Sequence, residues 1–114
     1  MTILEEHLST DLLLQLVVNR EDDGDVSIGF GGSSWHTHGD ILTLETGKPE
    51  TEAIRDLIDR ILSDEQILAV SRMAGEVRDI WPTDDPLDEL RYKADNESIE
   101  FRRWSGATIK ISTV

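Results

Sequence analysis

The chain has 114 residues, 24 of them acidic and 11 basic, for a net charge of −13; that length supports one hydrophobic core without metal or disulfide staples. It contains no cysteine, which excludes a disulfide framework and a thiolate zinc site and agrees with a reducing compartment. Such a polyanion repels nucleic-acid backbone and anionic lipid and attracts basic proteins and cations.

The charge is uneven. Residues 1–90 hold 21 acidic and 6 basic side chains and residues 91–114 hold 3 and 5, so an acidic body is joined to a slightly cationic C-terminal segment. The N-terminus carries Glu5 and Glu6 where a signal peptide needs a basic region, and the apolar run Leu12 to Val18 is too short to cross a bilayer. The expectation is a single cytoplasmic α+β domain over residues 1–114, with no membrane contact, as a monomer or weak dimer.

In chain order, Ile3 to Ser9 reads as a short helix or a tail. Leu12 to Val18 is apolar on both faces and reads as a mostly buried strand. Turn residues around Gly24 follow, and then Val26, Ile28 and Phe30 alternate with Ser27, Gly29 and Gly31, which makes a β-hairpin with an acidic tip. Trp35 to Leu44 reads as a third strand interrupted near Gly39 and Asp40. Pro49 suits the first turn of a helix, Glu50 and Glu52 complement its dipole, and Ala53, Ile54, Leu57, Ile58, Ile61 and Leu62 repeat at helical spacing. The predicted helix covers about 50–63 and packs one face on a sheet.

Strands return at Ile67 to Met73 and Val77 to Trp81 around a turn at Ala74, Gly75 and Glu76, and Pro82 stops the second. Thr83 to Glu89 reads as a second acidic loop. Leu90, Tyr92 and Ala94 alternate as a strand, Asp95 to Glu97 turns the chain, and a last hairpin joins Ile99 to Arg103 with Thr108 to Thr113. A three-residue loop, Ser105-Gly106-Ala107, would pair Phe101 with Ile111 and Arg103 with Ile109. It would turn Arg102, Trp104 and Lys110 outward as a cationic, aromatic face. The predicted architecture is a mainly antiparallel sheet of about six to eight strands with one amphipathic helix on it.

His36 and His38 form the one constellation that looks chemical, since residues two apart on a strand face the same way and both imidazoles reach one zinc or other divalent ion, with Asp40 as a third ligand if the strand continues. The pattern of the JAB/MPN metalloproteases needs Ser and Asp where Thr46 and Pro49 stand, and that of the cupins needs Gly and Glu where Phe30 and Leu42 or Thr43 stand, so neither transfers. Ser33, Ser34 and His36 lack a nucleophile elbow, and Gly29-Phe30-Gly31-Gly32 lacks the Lys and Ser or Thr of a phosphate loop. No catalytic residue and no required cofactor is assigned.

Binding chemistry is better supplied. Glu21, Asp22, Asp23 and Asp25 at the hairpin tip, with Asp84, Asp85, Asp88 and Glu89 in the second loop, offer carboxylates to Arg and Lys, and Trp35 and Trp104 serve either as interface anchors or as core. Trp81, before Pro82, reads as core. In size, charge and architecture the chain resembles the small acidic immunity proteins of bacterial polymorphic-toxin and contact-dependent systems. The resemblance implies a protein inhibitor that binds a cognate toxin, often a basic nuclease, and occludes it with acidic loops, without itself touching nucleic acid. Two alternatives stay open: a metal-binding protein or metal-dependent enzyme centred on His36 and His38, and a nucleic-acid mimic.

Overall fold

Eight strands pair into two antiparallel sheets, and a computed structural model describes residues 1–111 of the chain. The elements are β1 (Thr2–Leu8), β2 (Gln15–Arg20), β3 (Val26–Phe30), β4 (His36–His38), α1 (Gly39–Thr46), α2 (Glu50–Leu62), β5 (Ile67–Met73), β6 (Glu76–Thr83), α3 (Pro86–Arg91), β7 (Glu97–Arg102) and β8 (Thr108–Ile109). The first sheet is a meander in the order β1-β2-β3-β4, and the second has the order β6-β5-β7-β8. The class is the expected antiparallel α+β, with the strands split between two sheets and two short helices beside the long one.

Alternation within β2 and β3 builds the first half of the core. Leu14, Leu16 and Val18 point the same way as Val26, Ile28 and Phe30, and all six are buried. From the second sheet Leu68, Val70 and Ile80 enter the same cluster, with Ala53, Leu57, Ile58 and Ile61 of α2. These helical residues fall at spacings of three and four, the stripe that sequence periodicity assigns to a buried face. Each large one contributes roughly 1.5–3 kcal/mol by leaving water, so α2 is held by packing more than by its own hydrogen bonds.

The N-terminal segment is a strand and not the expected helix or tail. β1 pairs with β2 through a bulge between Ile3 and Glu5, and none of its residues is fully buried. Its order comes from the backbone ladder at a sheet edge, which leaves no apolar periodicity in the sequence to announce it. The expected strand at Leu12 to Val18 starts only at Gln15. Leu12 has φ of 63°, and the Ser9 and Asp11 side chains accept the backbone N–H groups of Leu14 (3.0 Å) and Leu13 (3.2 Å), so local side-chain bonds hold a turn ahead of the ladder.

The strand expected over Trp35 to Leu44 is β4, which ends at His38, where the chain turns into α1. Gly47, with φ of 73°, caps that helix through its N–H to the Thr43 carbonyl at 2.9 Å, the left-handed stop that Gly supplies cheaply. The expected second acidic loop is largely a helix: the Asp85 side chain accepts the Asp88 N–H at 3.2 Å, Pro86 fills the first turn, and the Thr83 hydroxyl donates to Glu89 at 3.0 Å. α3 and its C-terminal turn therefore replace the strand expected at Leu90 to Ala94. β6 runs through Pro82 to Thr83, which is tolerated because β6 is an edge strand.

The last hairpin has a three-residue loop one position earlier than expected. Arg103 N–H bonds the Ala107 carbonyl at 2.9 Å, Gly106 N–H bonds the Arg103 carbonyl at 3.0 Å, and Gly106 has φ of 108°, so Phe101 pairs with Ile109 and not with Ile111. β8 covers only Thr108–Ile109, and the end of the strand expected to run to Thr113 lies outside the described residues. The slip of two keeps the alternation, but the outward cationic face is overturned. Arg102 pairs across β5 with Leu68, on the core side, and is 3% exposed; Trp104 is 8% exposed and joins the core.

Two polar latches join the sheets. Ser33, in the β3–β4 loop, donates its hydroxyl to the Asp79 carboxylate and receives the Ile80 N–H at 2.9 Å, while Asp79 also accepts the Trp35 N–H at 3.1 Å. Burial pushes the Asp79 carboxyl up, but the Ser33 hydroxyl and the N–H groups of Trp35 and Ile80 outweigh it, and the net direction is down. At the other latch the Arg102 guanidinium reaches Asp11 at 2.8 Å and the Trp104 carbonyl at 3.2 Å. Asp11, which also accepts the Ser9 hydroxyl at 2.6 Å, is held at about 2, with the Arg102 bond as the main cause.

Candidate functional site

A cleft of about 390 Å³ opens between the two sheets, and Trp35, His36, Ile41, Glu45, Arg60 and Asp84 are among its lining residues. The Ser33 latch places it. By docking the β3–β4 loop on β6, the latch holds Trp35 and His36 of the first sheet opposite Pro82 and Asp84 of the second. α1 contributes Ile41 and Glu45, four apart and so on one face, and α2 contributes Arg60.

Trp35 is half-buried. It packs against the core and lies with its ring centroid 5.9 Å from that of Phe30 at an interplanar angle of 37°. His36 is exposed, and its Nδ1 lies 3.1 Å from the Ser34 carbonyl. A carbonyl only accepts, so Nδ1 is the donor of that pair. Asp84 receives one bond, from the Gln66 amide at 3.2 Å. Among the described residues Glu45 and Arg60 have no ion-pair partner. Ile41 and Leu44 of α1 are 41% and 86% exposed, apolar surface next to the cleft with nothing over it.

The other sequence-selected residues sit elsewhere. Glu21 accepts the Ser27 hydroxyl at 2.7 Å, Asp22 accepts the Met1 ammonium at 2.6 Å, and Asp23 accepts the Asp25 N–H at 3.0 Å. These acids form the hairpin tip, as expected, and each receives one side-chain bond there. Asp85 caps α3, Asp88 lies 3.6 Å from Arg91, and Glu89 holds Thr83. Trp104 is core, so the folded surface does not present it as an anchor. Of the ten residues selected for partner binding, the structure thus gathers Trp35 and Asp84 in this cleft, and Glu21 with Trp35 in a second depression of about 340 Å³.

His36 and His38 stand side by side, with ring centroids 5.0 Å apart and planes at 81°. Asp25 comes within 2.7 Å of His38 Nδ1, yet that nitrogen makes no aligned hydrogen bond. Asp40, the expected third ligand, belongs to α1 and not to a continued strand. Among the described residues no group of three or more His, Asp and Glu side chains is placed to hold a metal ion.

Ile41, Glu45 and Arg60 were not singled out from the sequence. Asp40 ahead of an apolar pair and Gly47 before Pro49 are helix start and stop signals, and reading them as such would have put Ile41 and Glu45 on one face. No helix among the described residues is long and apolar enough to cross a membrane. Comparison with protein-family models, curated proteins and solved structures finds no match.

Proposed function

We propose that the protein is an inhibitor that binds a basic protein, in the manner of an immunity protein neutralising a cognate bacterial toxin, through the cleft between its sheets. The observation that carries this reading is the cleft itself, where a half-buried tryptophan, the exposed Ile41 and the carboxylates of Glu45 and Asp84 converge. Aromatic and aliphatic anchors ringed by charge are the chemistry of protein recognition. The net charge of −13 adds long-range steering toward a cationic partner, which raises association rates more than final affinity.

The test is to co-express the chain with the product of the neighbouring open reading frame and to measure growth rescue and complex formation. Rescue by the parent chain, lost in Trp35→Ala with its fold intact by circular dichroism, supports the reading. No rescue together with no basic partner retained from the producing cell sinks it. The adjacency of His36 and His38 supports the second reading, a metal-binding protein. It requires stoichiometric metal in the purified chain that is lost in both His36→Ala and His38→Ala.

A further inference from the structure

We infer that the cleft is a socket for one arginine side chain, so that the recognised feature of the partner is an exposed guanidinium. This rests on the protein-inhibitor reading for its biological meaning, while the binding chemistry stands on the cleft alone. A guanidinium is planar, always charged, carries only donors and stacks on aromatic faces. The cleft supplies the complement of each property.

Trp35 offers a ring held against the core, an aromatic surface of the kind that attracts a cation. The unspent polar groups are mostly acceptors. Glu45 has no partner among the described residues, and Asp84 receives a single bond, from Gln66. Ile41 and Leu42 line the same space and match the aliphatic stem of an arginine. The volume of about 390 Å³ lies at the small end of the range for ligand pockets.

One lining residue opposes the ligand. Arg60 is exposed, has no ion-pair partner among the described residues, and shares the cleft with Glu45 and Asp84. It leaves the local balance at one net negative charge. Removing it therefore strengthens binding of a cation, a sign that a merely sticky or merely structural cleft does not predict.

The experiment is a heteronuclear NMR titration of the full chain with N-acetyl-arginine methylamide, with the citrulline analogue as the uncharged isostere. Saturable shifts at the Trp35 indole N–H and at the amides of Ile41 to Glu45 are expected for arginine, at least tenfold weaker for citrulline. Glu45→Gln weakens arginine binding about fivefold, of the order set by one exposed charge-assisted bond, and Arg60→Gln strengthens it about twofold to threefold. Equal binding of citrulline, shifts centred on the hairpin tip at 21–25, or an Arg60→Gln variant that binds less well each overturns the socket, even if a basic partner is captured. Failure to find any basic partner overturns the inhibitor reading and leaves a demonstrated socket standing.

Discussion

Replacing Asp11 by Asn tests the latch that joins the β1–β2 turn to the second sheet. The Arg102 side chain is 4% exposed and its partner carboxylate 36%, so the guanidinium is the buried member. Asp11 titrates at about 2 when folded, against an ordinary 3.8, and the difference between those values at 1.36 kcal/mol per pH unit gives roughly 2.4 kcal/mol. Solvent reaching a third of the carboxylate screens the interaction and lowers this to about 1 kcal/mol. Leaving a buried guanidinium with only carbonyl acceptors adds to the loss, and the expected total is about 1–2 kcal/mol at pH 7.

The pH dependence separates this cause from others. A carboxyl whose folded pKa is depressed stabilises the fold above its unfolded value of 3.8, and the contribution drains away as pH falls toward about 2. Urea unfolding of parent and Asp11→Asn, followed by tryptophan fluorescence between pH 7 and pH 2, should show a constant gap above about pH 5 that closes at the acid end. Taking the difference between chains cancels the other depressed carboxyls, among them Asp64, Asp79 and Glu97. Equal stability at pH 7, or a gap that persists unchanged to pH 2, would refute the reasoning.

Asp79→Ala removes the acceptor for Ser33 and for the N–H groups of Trp35 and Ile80, so it should cost about 2–3 kcal/mol. Acrylamide should then quench Trp35 more strongly, and unchanged quenching would show that the latch does not position that ring. Ser33→Ala, which leaves the carboxylate in place, should cost less, about 1 kcal/mol by the same unfolding measurement. Ile58 is fully buried between α2 and the sheets, and Ile58→Ala should destabilise by about 2–5 kcal/mol; a cost under 1 kcal/mol would place the helix elsewhere.

Legibility in the sequence followed the type of signal. The hairpin around Gly24, the strand at Ile67 to Met73 and the helix at Glu50–Leu62 were readable because their apolar periodicity is also their burial. Elements held by other forces were not: β1 is ordered by a ladder at an edge, and α1 and α3 are short helices whose ends are fixed by Gly47 and by Asp85 with Pro86. At the candidate site the residue types were legible and the grouping was not. Trp35 was selected as an aromatic anchor and Asp84 as a loop carboxylate, and no local pattern relates residues 49 positions apart.

The sequence by itself determined the antiparallel α+β class, the faces of β2, β3 and α2, and the total charge, since composition and period survive any arrangement of the elements. Only the tertiary structure decided where that charge points. The cationic C-terminal segment looked like an outward face because Arg102, Trp104 and Lys110 alternate, but alternation says which residues share a side, not which side meets the core. Docking of the second sheet put Arg102 beside Leu68 and drew its guanidinium to Asp11, turning an expected binding surface into an internal latch. The same packing brought Trp35 across from Asp84 and made a cleft from two separate loops.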